Sequence, residues 1–191
     1  EMVTRIPVEG GSEVRAVNGV SFQLARGESL ALVGESGSGK SMSALSILGL
    51  VPKPGRVTAG QARFKGRDLL ALPADEMRKV RGREIGIVFQ DPSLDDELTA
   101  WENMEFHGVL YGVPRKLRRE RIDELLRFVD LHDRRDSIVK EYSGGMKRRL
   151  EIARGLLHLP RIVFLDEPTL GLDPQTRNQM WSYLQKLNAE E

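Results

Sequence analysis

The sequence contains no cysteine, so neither a disulfide framework nor a thiolate zinc site can be part of its chemistry. That fits a reducing compartment, and equally an extracellular chain without bridges. Long apolar runs are missing too. The best candidate, ALSILGLVPKPG, is broken by Ser46, Gly49 and Pro52, far short of the ~20 residues that a spanning helix needs. Charge of one sign is not in excess: the net charge is +1 although 30% of residues are charged, so no global field points to nucleic acid. Aromatic residues make up only 6%, and none precedes Phe22. No basic-then-apolar leader opens the chain, and Glu1 reads as a trimmed start. The chain therefore reads as soluble and intracellular. Its 191 residues suffice for one domain or two small lobes with a real core.

What is present alternates in character. Two β-like runs, VRAVNGVSFQL and ESLALVG, flank the turn ARG. The second is short, apolar and followed at once by glycines, as a buried parallel strand entering a phosphate loop would be. MSALSILGL has helical character, GQARFKGRDL reads as a hairpin strand with its turn, and EIGIVFQD reads as a buried strand. From about residue 96 to 158 the pattern turns helical. RKLRRERIDELLRFVDL puts Ile122, Leu125, Leu126 and Val129 on one stripe. A strand returns at RIVFLDEP, and PQTRNQMWSYLQKLNA is helical. Strands, a helical insertion, then strand and helix predict an α/β core carrying an inserted helical lobe.

The string GESGSGKS satisfies G-x-x-x-x-G-K-[ST]. Its candidate nucleotide-binding residues are Gly34, Glu35, Ser36, Gly37, Ser38, Gly39, Lys40 and Ser41, with Met42 on the helix beyond. Glycines let backbone N–H groups turn inward around the β-phosphate, Lys40 reaches the β- and γ-phosphates, and the Ser41 hydroxyl ligates Mg²⁺. RIVFLDEP supplies a second element, an apolar strand ending in two carboxylates. Asp166 would hold the Mg²⁺ shell and Glu167 would polarise an attacking water. Between the two lies YSGGMKRRLEIARG, where Ser143, Gly144 and Gly145 front a helix whose Met146, Leu150, Ala153 and Leu157 recur at helical spacing. A helix start of that kind also suits an anion. One chain thus carries two phosphate cradles.

The set GESGSGKS, Gln90 in IVFQD, YSGGM, FLDEP and LGLDP resembles the nucleotide-binding domain of an ABC transporter ATPase, in that family's order and over most of the chain. The resemblance implies a P-loop NTPase (RecA-like) core with an antiparallel β subdomain and an inserted helical subdomain. Residues 1–91 would form the core with the β subdomain, 92–157 the helical subdomain, and 158–191 the rest of the core. It implies Mg²⁺ and ATP sandwiched between the P-loop of one cassette and the Ser-Gly-Gly of a second, in a head-to-tail homodimer or heterodimer. Gln90 would link metal and attacking water to the helical lobe, with Gln90, Ser41 and Asp166 around the metal. Gly171, Leu172 and Asp173 would be the turn crossing the dimer interface. Transmembrane transporter subunits would be the other partners, the cassette sitting in the cytoplasm on the inner face of the cell membrane. No nucleic acid is expected.

The pattern departs from the family in places. Met146 stands where an amide side chain is usual. An aromatic that would stack on adenine is absent, and Ile6 sits near its place. The family's γ-phosphate histidine follows the acidic pair on a later strand. His107, His132 and His158 all precede Asp166, so that histidine and one or two core strands are expected from a tail or another chain. Residues up to about 85 look like oligopeptide and dipeptide importer ATPases, and those from about Val88 through Gly155 look like daunorubicin-type exporter ATPases. The chain is either a recombined one joined just before Gln90 or a natural subfamily carrying both flavours.

The resulting expectation is an ATPase powering transport. Its rivals are an ATP-binding cassette without turnover, chimeric or truncated, and a soluble ABC ATPase outside transport. Three smaller features have plain readings. RKLRRER reads as a solvated helix face rather than a nucleic-acid patch. Asp95 and Asp96 read as a cap for the next helix. Trp101 and Phe106 fit either lobe core or a groove for a membrane subunit.

Overall fold

The computed structural model describes residues 1–8, 10–90, 93–170 and 172–189; side chains at 176, 179, 183 and 186–189 are not described. The chain divides into two compact units, residues 1–79 and 80–191.

The first unit is built on an antiparallel sheet of β1 (Met2–Pro7), β2 (Glu13–Val20) and β3 (Arg56–Ala59), in the order β2-β1-β3. Met2 and Thr4 alternate inward along β1, as period two requires. Helix α1 (Lys40–Ile47) is tied to this sheet by a buried bond of 2.6 Å between the Thr4 and Ser46 hydroxyls. A bond of that kind contributes about 1 kcal/mol. A small hairpin follows, β4 (Arg63–Phe64) and β5 (Arg67–Asp68), turning at Lys65 and Gly66 with φ of 49° and 76°. Two consecutive positive φ values are what a tight hairpin turn demands. Helix α2 (Ala74–Arg83) runs across the division in sequence.

In the second unit β6 (Ile85–Val88) pairs in parallel with β7 (Ile162–Leu165), so that Val88 stands opposite Leu165. The helical lobe lies between them in sequence: α3 (Ala100–Leu110), α4 (Arg115–Phe128) and α5 (Gly144–Leu156), with α6 (Pro174–Ala189) after β7. Met104, Ile122, Leu126, Leu150, Ala153 and Leu157 are fully buried in one cluster, which places the predicted stripes of α4 and α5 face to face. Helix α4 ends where Asp130 takes φ 53° and Leu131 N–H returns to Leu126 O at 2.8 Å, a Schellman stop.

Three expectations are corrected. ESLALVG is not a strand: residues 28–34 join no ladder, and Leu30, Leu32 and Val33 are 44%, 41% and 93% exposed. A parallel strand draws its hydrogen bonds from a neighbour alone, and an apolar run specifies burial without specifying that neighbour. Helix α3 is capped by Thr99, not by Asp95 or Asp96. Glu102 N–H donates to Thr99 Oγ1 at 3.1 Å and Thr99 N–H to Glu102 Oε2 at 2.8 Å. That reciprocal box satisfies two helix-start donors at once, while Asp96 accepts from Lys147 at 2.7 Å instead. RKLRRER is not wholly solvated, because Arg118 is buried and pairs with Glu105 at 2.6 Å. Trp101 packs against the lobe core under Arg135, and Phe106 is 61% exposed. Among the described residues no helix is long and apolar enough to cross a membrane.

Candidate functional site

In the first unit, the loop from Gly34 to Gly39 delivers the chain into α1 through backbone alone. Gly39 is the residue before α1, with φ 90°, a conformation that disfavours any side chain. A methyl there would also run into the Ala16 carbonyl oxygen on β2, so sheet, loop and helix meet at a point only glycine fits. The N-cap position of α1 carries no side-chain cap bond. Gly37 turns with φ 80°, and Ser38 N–H closes on Glu35 O at 3.2 Å.

Lys40 folds back over this loop, its Nζ donating to Gly34 O at 2.9 Å and Glu35 O at 2.8 Å. Phosphate oxygens are stronger partners for an ammonium than neutral carbonyls are, so the group is held at the mouth by bonds it can exchange. Ser41 and Met42 lie on the first turn, half-buried. Met42 O accepts from Ser46 Oγ at 2.6 Å, and Gly39 O from Ser43 Oγ at 2.8 Å. The loop thus fits a phosphate chain: a helix start, an ammonium above it, and no Cβ in the way at Gly39.

In the second unit, the parallel register brings two candidate segments out at the same sheet edge. Asp166 N–H donates to Val88 O at 2.9 Å, so the acidic pair starts beside the end of β6, and Gln90 follows exposed two residues after Val88. Glu167 has φ 45°, a left-handed setting costly for a residue with a side chain. Leu170 N–H closes the turn on Glu167 O at 3.1 Å. Leu172 is buried against Val88, Ile152 and Met180, and Asp173 Oδ1 accepts from Gln175 N–H at 3.0 Å at the start of α6. Gly171, expected in an interface turn, lies outside the described residues.

At α5, Ser143 is the N-cap, and its Oγ accepts from Met146 N–H at 3.2 Å. A hydroxyl that accepts still has a proton to donate, so capping and phosphate binding are compatible at this side chain. Gly144 is exposed, and a methyl there would meet nothing within 4 Å.

Sequence reading passed over Arg148, Glu151 and Arg154. Arg148 and Glu151 are 7% and 3% exposed at the side chain and pair at 3.0 Å. Arg148 also donates to Phe89 O at 2.6 Å, Asp166 O at 2.7 Å and Pro168 O at 3.0 Å. Glu151 Oε1 accepts from Ser93 N–H at 2.7 Å, and Arg154 donates to Ser93 O at 2.7 Å and to its hydroxyl. The available signal was Gly155, four residues past Glu151. A methyl there would stand 3.0 Å from Val88 Cγ2, so its absence lets this face of α5 approach β6.

Among the described residues no group of three or more His, Asp or Glu could hold a metal ion by itself.

A family model described as "ABC transporter" matches residues 17–170. The oligopeptide transport ATP-binding protein OppD of Bacillus subtilis (strain 168) is 39% identical over 187 residues, 94% of this chain and 52% of its own length. The linearmycin resistance ATP-binding protein LnrL of the same organism is 39% identical over 173 residues, 90% of this chain and 52% of its own. The chain spans about half the length of the curated relatives it matches. Among solved structures, the ATP-binding cassette MJ0796, a dimer in a post-hydrolysis state bound to ADP and Pi, matches with a TM-score of 0.82 at 32% identity. That match covers 99% of this chain and 84% of the other. The mixed α/β architecture is thus that of the P-loop NTPase cassettes.

Proposed function

The chain belongs to the ABC transporter family, and from that premise we propose that it binds Mg-ATP and hydrolyses it in a head-to-tail dimer to power a transporter. The observation that carries the reading is the loop at Gly34–Ser41, with Gly39 at φ 90° and the Lys40 ammonium exchangeably held on Gly34 and Glu35. Residues Gly34 to Ser41, with Met42 behind them, hold the triphosphate. Ser41, Asp166 and Gln90 serve Mg²⁺, which when bound supplies charge neutralisation on the phosphate oxygens. Glu167 orients the attacking water, and Lys40 offsets charge that develops as the γ-phosphate leaves. Ser143, Gly144 and Gly145 receive the γ-phosphate of the second cassette's nucleotide. Three functional segments follow: 1–91 and 158–191 for nucleotide chemistry, and 92–157 for the lobe.

The dimer is supported by the MJ0796 neighbour, which is described as dimeric. Transport partners are supported by the names of the relatives and by α3, where Phe106, Val109 and Leu110 are 61%, 56% and 66% exposed. An apolar patch of that kind suits a membrane subunit at the cytoplasmic face. The rival reading is binding without turnover, and steady-state ATPase activity against protein concentration separates the two. Activity rising faster than linearly supports the shared site. Linear activity removes the dimer, and no activity with intact ATP binding leaves the binding module.

A further inference from the structure

The buried charges of α5 touch the backbone that presents the proposed chemistry, and nothing in the hydrolytic reading uses them. Arg148 grips Asp166 O at 2.7 Å and Pro168 O at 3.0 Å, the residues on either side of Glu167, whose φ of 45° needs such support. The same guanidinium holds Phe89 O at 2.6 Å, immediately before Gln90. Glu151 fixes the guanidinium from one side at 3.0 Å and holds Ser93 N–H from the other at 2.7 Å. The segment carrying Gln90 is therefore fastened at both described ends, Phe89 and Ser93. A buried ion pair adds little net stability, because desolvation consumes the Coulombic gain. Its five directed donors instead fix geometry, which an ammonium cannot do.

We propose that Arg148 and Glu151 are positioning residues, a clamp that makes the Ser143–Gly145 helix and the backbone around Gln90 and Glu167 move as one body. Resting on the shared-site reading above, the clamp has a direct consequence. Ser143 serves the second cassette's nucleotide, while Gln90 and Glu167 serve the chain's own. Arg148 sits five residues into the helix that begins at Ser143, so seating one nucleotide shifts the carbonyls that set the water-orienting group at the other. Turnover at the two sites is linked through this side chain.

The test uses the full chain with Arg148→Lys, which keeps a charge opposite Glu151 but cannot reach three carbonyls, and with the neutral double variant Arg148→Gln/Glu151→Gln. Misplacement of catalytic groups by about 1 Å costs up to about 100-fold. The expected result is kcat lowered by about 10- to 100-fold, KM for ATP changed by less than about threefold, and a Hill coefficient falling toward one. A purely structural role would lower the unfolding midpoint and leave the KM-against-kcat split and cooperativity alone. Unchanged kcat and cooperativity in either folded variant overturn the proposal. Amide exchange gives a readout independent of turnover. Residues 85–90 and 162–170 are expected to exchange about tenfold faster in Arg148→Lys, since each factor of ten reports about 1.4 kcal/mol of lost local protection. If the wild type proves inactive, the hydrolysis reading falls while the clamp is still decided, equal exchange rates overturning it.

Discussion

The Lys40 ammonium donates to the Gly34 carbonyl oxygen at 2.9 Å, closing the loop between the two residues into a ring. The bond is exposed, so it contributes at most about 1 kcal/mol to stability. Its importance lies in placing a cation where phosphate oxygens would arrive. Lys40→Ala is expected to leave the unfolding midpoint within a few degrees of wild type and to weaken ATP binding by more than about tenfold. Titration with a fluorescent ATP analogue checks this; unchanged affinity would remove the loop from the site.

Gly39 makes a contrasting prediction. Its φ of 90° and its approach to Ala16 O leave no room for a methyl group. Gly39→Ala is expected to cost about 1–3 kcal/mol by strain alone and to abolish nucleotide binding as well. Denaturant unfolding and the same titration measure both. Loss of binding with no loss of stability would show that the loop tolerates another conformation.

Ser143 caps α5 with its Oγ, receiving Met146 N–H at 3.2 Å. Ser143→Ala is expected to destabilise by about 1 kcal/mol and to reduce turnover further than that loss explains. Ser143→Asp restores the cap but brings a negative charge to a phosphate. Under the shared-site reading it regains stability and stays inactive, a pairing that calorimetry and ATPase assays together can refute.

His107 and His158 both stack against Tyr111, at centroid distances of 4.3 and 4.4 Å. Burial, with Arg154 beside one and Arg121 beside the other, pushes their pKa values down to about 3 and about 4. The unfolded chain takes protons on these rings near pH 6.5, so between that pH and about 4 it binds more protons than the native state. Stability therefore falls as pH drops through this window, by at most about 1.4 kcal/mol per pH unit for each ring. His107→Phe is expected to flatten that slope, seen in urea midpoints at pH 7 and pH 4.5. An equal slope would mean that the ring is protonated without cost in the fold.

The features most legible in sequence were those written locally. The glycine-rich loop leading into α1, the stripes of α4 and α5 and the strand before Asp166 each follow from spacing within a dozen residues or so. Long-range pairing was not legible. Val3 pairs with Ala59 across β1 and β3, and no local pattern announces that partner. The run at 28–34 erred in the opposite direction, since its apolar residues announced a strand that no neighbour completes. Arg148 and Glu151 stayed hidden because a charge on a helix defaults to solvent. The carbonyls of Phe89, Asp166 and Pro168 on Arg148, and the Ser93 N–H on Glu151, all distant in sequence, make them interior residues.

Tyr142 stands directly before Ser143 in the chain. It is buried in the lobe core, and its hydroxyl donates to Arg134 O at 2.7 Å. The approach to α5 is therefore riveted, with no slack peptide between the lobe and the Ser-Gly-Gly start. Ser143 cannot be offered to a phosphate by a local swing of its loop. It can travel only with the whole lever arm of α3, α4 and α5, so the stroke available at this helix tip is set by rotation of the lobe.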